Sequence, residues 1–318
     1  MRPLLITIAL LAFLAGLGFI LPAWIIFLLS LAFARGLAIM SVALLLRAGL
    51  VSFGQGLFFA ASAYTVAFAM KAWSVREAAL AIALGTGAGI VVAGVTGLLL
   101  ARYREIFFAM LTLAFSMVLY GILVKAYALT GGSDGMAVAT PTIAGLTLAA
   151  GRLRSTLYLL TLSCTAAAAY LTFRYMNSPL GYAARAVRDN EVRLEYLGLS
   201  TWSTIYLTYV LAGGLSGLGG ALMALNVGHV DPQLAYWTTS GEFVFVALLG
   251  GIGNVLAPLG GAIVFEILRA YAFKYAPYVW QMIMGGAMLL IILFMPEGLW
   301  TIYTSVMRRM KKKEAGVL

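Results

Sequence analysis

Long apolar runs recur along the whole chain, and they constrain its fold more than any other feature of the sequence. A hydrocarbon core about 30 Å thick needs about 20 apolar residues to cross it as a helix. Inside lipid the backbone must satisfy its own hydrogen bonds, and the short alternating segments of a membrane β-barrel are absent here. The sequence therefore predicts an all-α, polytopic membrane protein.

The composition agrees with this class. Of the 318 residues, 63% are hydrophobic and 10% are charged, whereas a soluble domain carries about 25% charged residues. The net charge of +10 falls between the apolar runs and includes no basic–aromatic module, so we interpret it as a topology signal and not as nucleic-acid binding. The single cysteine, Cys164, excludes an internal disulfide, and with the single histidine, His229, it argues against a metal site.

We predict about ten transmembrane helices, in the range of eight to ten, within a single transmembrane domain that covers residues 1–318. The predicted spans are 4–20, 24–46, 56–72, 77–100, 105–128, 156–173, 202–225, 241–256, 258–273 and 278–296. The first lacks a clear cleavage site, so we interpret it as a retained span. With the N-terminus inside, most of the 21 Lys and Arg residues lie in cytoplasmic loops. The positive-inside rule then places both termini in the cytoplasm, including a basic tail at 307–318.

The most charged internal stretch is SPLGYAARAVRDNEVRLEYLG at 178–198, which we call the coupling segment. Ser178 and Pro179 favour a helix start, Asp189 or Asn190 favours a second one, and Gly198 favours a stop. The pattern predicts one or two short cytoplasmic helices.

A solvated connector is the plainer interpretation of the coupling segment. Its small residues favour a surface that another protein approaches closely; they are Gly181, Ala183, Ala184 and Ala186.

Two glycine-rich stretches interrupt apolar segments, one in each half of the chain, at 49–64 and 249–262. Irregular backbone at membrane depth is tolerated only where it packs on protein or lines a wet cavity, and paired interruptions point to a transport pathway. Glycine-mediated helix packing explains the same residues equally well. Both breaks fall near the predicted cytoplasmic face, so we infer no inverted repeat.

The longest extracytoplasmic segment is 129–155, and it contains GGSDGM at 131–136. Glycines with a local Asp are typical of a tight turn. The segment is either a shaped docking or gating loop or a plain connector.

Ionisable residues inside the apolar segments are few, and they are functional candidates by default. Glu266 and Arg269 lie three positions apart on one predicted helix, so we expect them to neutralise one another, while Arg35 has no obvious partner. The sequence contains no chain of carboxylates typical of a proton relay, no phosphate-binding glycine loop and no enzyme motif.

Four stretches, in this order, resemble the signatures of one family, the permease subunits of branched-chain amino-acid ABC importers of the LivM type. They are SFGQGLFFAASAY at 52–64, GGSDGM at 131–136, the coupling segment at 178–198 and SGEFVFVALLGGIGNVLAPLGGA at 240–262. The chain departs from the family pattern at Ser62 and Ala257, where glycine is usual, and at Tyr182, where Arg is usual. Departures at Arg35, Arg47 and Tyr182 leave the subgroup and the substrate open.

The resemblance implies a permease subunit of the cell (inner) membrane that is not an enzyme and binds no cofactor or metal. It implies separate ATPase subunits, a second permease subunit and an extracytoplasmic solute-binding protein as partners. The solute would be a branched-chain or related small amino acid, or alternatively urea or a short amide. On the residues alone, an ion-coupled secondary transporter that uses Glu242 or Glu266 and a membrane-embedded enzyme remain as other hypotheses.

The resemblance also implies which residues carry the function. The ATPase-coupling residues would be Pro179, Gly181, Ala184, Arg185, Arg188, Asn190, Glu191 and Gly198. The translocation path would be lined by Ser52, Gln55, Gly56, Gly250, Gly251 and Asn254. The extracytoplasmic loop would present Gly131, Gly132, Asp134 and Gly135.

Overall fold

The structure is a computed structural model, and it describes residues 21–294 together with the isolated positions 14, 16, 18 and 298. The basic tail at 307–318 and nearly all of the first predicted span, 4–20, lie outside the described residues.

Helices make up most of the described chain, and they confirm the all-α membrane class. The twelve α-helices of the described residues are α1 (Ala23–Arg47), α2 (Gln55–Ala72), α3 (Ala78–Leu100), α4 (Glu105–Lys125), α5 (Tyr127–Thr130), α6 (Ala150–Met176), α7 (Pro179–Asp189), α8 (Glu191–Tyr196), α9 (Thr201–Val227), α10 (Trp237–Gly250), α11 (Ala257–Tyr275) and α12 (Trp280–Phe294). Single 3₁₀ turns lie at Gly132–Asp134 and Pro232–Ala235, and strands β1 (Met136–Ala137) and β2 (His229–Val230) pair antiparallel.

Five of these helices, namely α1, α3, α4, α6 and α9, are long and apolar enough to cross a membrane. The other predicted spans within the described residues correspond to the shorter helices α2, α10, α11 and α12. The count of ten crossings therefore stays a prediction.

The predicted span 241–256 is wrong in its extent. Helix α10 runs only from Trp237 to Gly250, and its 14 residues reach about 21 Å at 1.5 Å per residue. The helix ends because Gly251 adopts a φ of +100°, which a helix cannot continue. Because residues 251–256 are mostly apolar, the hydropathy of the sequence does not reveal the bend that the backbone makes there.

Helix α9 lies at the centre of the bundle and packs against α1, α2 and α3. A Cβ added to Gly89 of α3 would lie 2.8 Å from the Cα of Gly217 on α9. Helices in lipid gain little from apolar burial against one another, so close backbone approach at small residues stabilises their contact.

The connections gather at two opposite ends of the bundle. At one end Arg104, before α4, reaches Glu191 of α8, and Gly49 lies beside Arg188 of α7. At the other end Ala78 bonds to Thr142, and β1 pairs with β2. This arrangement fits the predicted alternation of loops, while the end that faces the cytoplasm stays a prediction.

Candidate functional site

The coupling segment forms two short helices, α7 and α8, as predicted. Ser178 caps α7, since its Oγ accepts a hydrogen bond from the Gly181 N–H at 3.3 Å, and Pro179 occupies the first helical position. Asn190 caps α8, since its Oδ1 accepts a hydrogen bond from the backbone N–H of Arg193 at 3.0 Å. Each cap satisfies an N–H group that the first helical turn leaves unpaired. The predicted helix starts are therefore confirmed.

The small residues of the coupling segment face this chain itself, and their interpretation as a partner-facing surface is wrong. Ala183 and Ala184 are only 3% and 4% exposed, and with Val187 they pack into the apolar core. At Gly181 an added Cβ would overlap the carbonyl oxygen of Tyr175. Small residues permit close approach from either side of a helix, and here the rest of the bundle supplies the approaching atoms.

Polar contacts seat the coupling segment on the membrane helices. Arg104 Nε forms an ion pair of 2.6 Å with Glu191 at the start of α8. The hydroxyls of Tyr175 and Thr208 are 2.7 Å apart and join α6 to α9 on either side of the segment. Glu191, which the family resemblance assigns to coupling, therefore already has a partner within the chain.

The outward face of the coupling segment carries large apolar and basic side chains. They are Leu180, Tyr182, Arg185, Arg188, Val192, Tyr196 and Leu197. Tyr196 is 88% exposed, and Gly198 ends the segment with a φ of +80°. An exposed apolar patch rimmed by charge is typical of a protein interaction site. The ATPase-coupling role of these residues stays a prediction.

The first glycine-rich stretch breaks the helical path between α1 and α2. Gly49 has a φ of +77°, and its added Cβ would lie 3.2 Å from the Cβ of Arg188. Ser52 follows in irregular backbone, fully buried, and α2 begins at Gln55. The break therefore joins the coupling segment to the interior of the bundle.

Buried hydroxyl groups from three neighbouring helices surround the start of α2. Ser41 Oγ lies 2.9 Å from Gln55 Oε1, and Ser216 Oγ donates to the Gln55 carbonyl at 2.8 Å. The Gly56 N–H donates to Ser240 Oγ at 2.9 Å. Within the described residues the buried Gln55 amide nitrogen meets no hydrogen-bond partner. Polar groups are costly in an apolar interior unless they are hydrogen-bonded, and these fully buried side chains bond to one another or to the backbone of α2. The role of Ser52, Gln55 and Gly56 in a translocation path stays a prediction.

The other predicted path residues lie at the bend between α10 and α11. A Cβ on Gly250 would overlap the Ala257 carbonyl oxygen, and Asn254 Oδ1 accepts a hydrogen bond from the Leu256 N–H at 3.0 Å. This bend stands at the opposite end of α10 from Ser240. The structure thus separates the predicted path residues into two groups. Ser52, Gln55 and Gly56 lie at the start of α2, and Gly250, Gly251 and Asn254 lie at the α10–α11 bend.

The sequence did not indicate Ser41 and Ser216, two of the hydroxyl groups around the start of α2. Ser240 lies within the stretch 240–262 that resembles a family signature, but it was not singled out. In an apolar helix a serine has the same appearance whether it bonds to its own backbone or to a neighbouring helix. Only the long-range packing distinguishes the two.

The segment 129–155, which we predict to be extracytoplasmic, forms the predicted turn. Gly131, Gly132 and Gly135 all have positive φ, between +59° and +75°, and Asp134 ends the 3₁₀ turn between them. A Cβ on Gly135 would overlap the Val230 carbonyl oxygen, so glycine allows this turn to lie on β2. Its docking or gating role stays a prediction.

The ionisable residues of the apolar helices are paired across helices. Arg35 Nη1 of α1 lies 2.7 Å from Glu266 Oε1 of α11, and Arg269 Nη1 lies 3.2 Å from Glu242 Oε2 of α10. Arg269 also lies over the ring of Trp280, at 5.3 Å. The expected Glu266–Arg269 pair is therefore wrong, because partners distant in sequence are closer to each carboxylate.

The comparisons with known proteins agree on one family. A family model described as branched-chain amino acid transport system / permease component matches residues 24–293. The high-affinity branched-chain amino acid permease protein LivM of Salmonella typhimurium is 26% identical over 223 residues, which cover 62% of this chain and 51% of that protein. The probable LivM protein of Methanocaldococcus jannaschii is 29% identical over 252 residues, 74% of this chain and 71% of that protein.

LivH of Escherichia coli is 28% identical over 130 residues, which cover 41% of this chain and 42% of that protein. The chain spans about half the length of the LivM proteins of Salmonella typhimurium and Escherichia coli that it matches. No solved structure matches it. Because the family model extends from the first residues of α1 into α12, this chain belongs to the family of branched-chain amino acid transport system permease components.

Proposed function

We propose that this chain is the membrane-spanning permease subunit of an ABC importer for branched-chain or related small amino acids, driven by separate ATPase subunits. The observation that carries the proposal is the outward face of the coupling segment. It turns Tyr182, Tyr196 and Leu197 to the outside beyond the ends of α6 and α9. Burial of such apolar side chains against a partner is favourable.

We infer that the coupling segment transmits a partner's movement to the membrane helices. Its own caps hold α7 and α8 as helices, and the ion pair between Arg104 and Glu191 joins it to the α3–α4 connection. Gly49 brings the irregular stretch before α2 against Arg188. A movement of the segment by a partner would therefore reach the buried polar cluster around Gln55.

The proposed path suits a small solute whose polar groups are recognised by hydroxyls and amides. The cluster offers Ser41, Gln55, Ser216 and Ser240, and none of these side chains carries a charge. The family supports an amino acid as the solute. A second permease subunit and an extracytoplasmic solute-binding protein complete the proposed importer.

Affinity purification from the native membrane tests the partner. We expect the intact chain to retain an ATPase subunit in mild detergent, and we expect Tyr196→Ser combined with Leu197→Ser to lose it, because both side chains are largely exposed on the same face. Tyr127→Ser is the matched control, since Tyr127 is 67% exposed at the opposite end of the bundle. An intact chain that purifies alone, while a known ABC complex survives the same detergent, contradicts the proposal.

A further inference from the structure

Helices α10 and α11 form a closely packed hairpin. At the bend, a Cβ on Gly261 would lie 2.9 Å from the Cα of Gly250, so the two backbones are in direct contact. Farther along, the pair between Glu242 and Arg269 holds the same two helices together at 3.2 Å. A backbone contact and an ion pair therefore join α10 and α11.

The contact between this hairpin and α1 is of a different kind. Gly36 of α1 faces the tip of the Leu259 side chain and the Cβ of Ala262, and the nearest backbone atom to its added Cβ, the Cα of Leu259, is 3.9 Å away. The polar part of this contact is the Arg35–Glu266 ion pair, whose glutamate is 5% exposed. Apolar residues in place of a buried ion pair are often as stable or more so, and a switch is among the best-attested uses of such a pair.

A second partner for Glu266 stands on its own helix. Residues three positions apart on a helix are neighbours, so Arg269 is within reach of the Glu266 carboxylate. The Arg35–Glu266 and Glu242–Arg269 pairs both include a residue of α11, and Glu266 and Arg269 are three positions apart on that helix, so the four charges form one group. If Glu266 pairs with Arg269, whose guanidinium has enough N–H donors to keep Glu242 as well, the polar hold on α1 is released and Arg35 stays on α1 without this carboxylate.

We propose that these four residues form an exchange lock between the hairpin and α1. In the structure Glu266 binds Arg35 and holds the hairpin against α1. In a second state Glu266 binds Arg269, and the hairpin moves away from α1. This inference rests on the proposed transport function, because alternating access requires one group of helices to move against another.

A reversible cross-link tests whether the hairpin must leave α1. In a Cys164→Ser background, Gly36→Cys and Ala262→Cys introduce two thiols at positions whose Cβ atoms are 3.4 Å apart, close to the separation of about 3.8 Å in a disulfide. We expect oxidation to lower amino-acid uptake by the assembled importer about tenfold or more, and a reductant to restore it. A fully oxidised variant that transports at the reduced rate overturns the lock.

The serine variant, Gly36→Ser with Ala262→Ser, is the matched control. It has nearly the same volume but cannot cross-link, so its uptake must be the same with and without oxidant. The disulfide itself reports folding, because it forms only when α1 and α11 are in contact.

Thiol labelling separates the lock from the proposed function. Ala262 is fully buried, so a maleimide reaches Ala262→Cys only when the hairpin leaves α1. We expect Arg35→Gln to raise the labelling rate about fivefold or more, and Arg269→Gln added to it to lower the rate again, because the second state then loses its ion pair. Simple destabilisation predicts a further rise, and that result overturns the exchange.

Labelling of Ala221→Cys, a buried position on α9, controls for general unfolding and must not change with these substitutions. If the labelling follows the predicted order while the importer moves no amino acid, the proposed function fails and the lock stands.

Discussion

Gly181 lies at the start of α7, and its missing side chain leaves room for the Tyr175 carbonyl oxygen. We expect Gly181→Ala to lower the free energy of unfolding by about 1–3 kcal/mol, because the new methyl group must displace backbone. Gly121→Ala on α4 is the control, since nothing lies within 4 Å of the added atom there. Thermal unfolding of the two purified variants in detergent measures the difference, and equal midpoints would contradict the role of Gly181.

Glu77 anchors the extracytoplasmic segment onto the start of α3. Its carboxylate accepts hydrogen bonds from the Ala144 N–H at 2.9 Å, the Gly145 N–H at 3.1 Å and the Thr142 hydroxyl at 3.2 Å. These bonds, with that of Gly145 the largest contribution, hold the pKa of Glu77 below its usual value. A carboxyl group with a lowered folded pKa stabilises the structure above its unfolded pKa of about 4.3, and this stabilisation is lost as the pH falls through the folded value.

Hydrogen exchange measures this anchor. We expect the amides of Ala144 and Gly145 to exchange faster in Glu77→Gln at neutral pH, since a neutral amide accepts their hydrogen bonds more weakly. In the wild type, protection should fall on acidification below the usual glutamate pKa. Glu105→Gln is the control at the opposite end of the bundle, and unchanged protection in Glu77→Gln would rule out the anchor.

Sequence alone reveals residue roles that depend on near neighbours. The caps at Ser178 and Asn190 were predictable because a cap and its N–H group lie within three residues. The pairing of Arg35 with Glu266 was not, because 231 positions separate the two residues. The burial of Ala184 against this chain was not predictable either, because the sequence of a short amphipathic helix does not show which surface its apolar face packs against.

Helices α3 and α9 pack against each other at glycine residues, and substitution of these glycines tests how much the contact stabilises the bundle. We expect Gly89→Ala to destabilise the bundle by about 1–3 kcal/mol, since its Cβ would lie 2.8 Å from the Cα of Gly217. Gly87→Ala, two positions away on the same helix, meets nothing within 4 Å and should raise helix stability by up to about 1 kcal/mol. Thermal unfolding of the two variants compares them directly; destabilisation of both alike would assign the effect to the helix and not to the contact.

At the same scale, apolar length located most helices within a few residues, and it failed where an apolar run contains a bend. The segment 251–256 is apolar enough to continue α10, yet Gly251 turns the chain. The placement of Ser240 beside the start of α2 depends on the turn at Pro232–Ala235, whose carbonyls contact α2 and α4. No local pattern in the sequence encodes that return of the chain.

Across the whole molecule, the two ends of the bundle carry different chemistry. One end presents the coupling segment with its exposed aromatic and basic side chains, and the other presents glycine turns fastened by Glu77 and by the β1–β2 pair. Composition and family signatures predicted this division because both depend on the order of segments and not on their packing. The buried path between the ends depends on packing, so the sequence marked only part of it.

The distance in sequence between Arg35 and Glu266 also has a consequence for biogenesis. At about 5–20 residues per second of synthesis, the 231 positions between them take roughly 10–50 s. Throughout that time Arg35 lies in a helix entering the membrane while its carboxylate partner does not yet exist. A chain truncated before Glu266 never acquires that partner. Such a chain keeps an arginine at membrane depth without the carboxylate that pairs with it in the full chain, and an ionised side chain at that depth is costly.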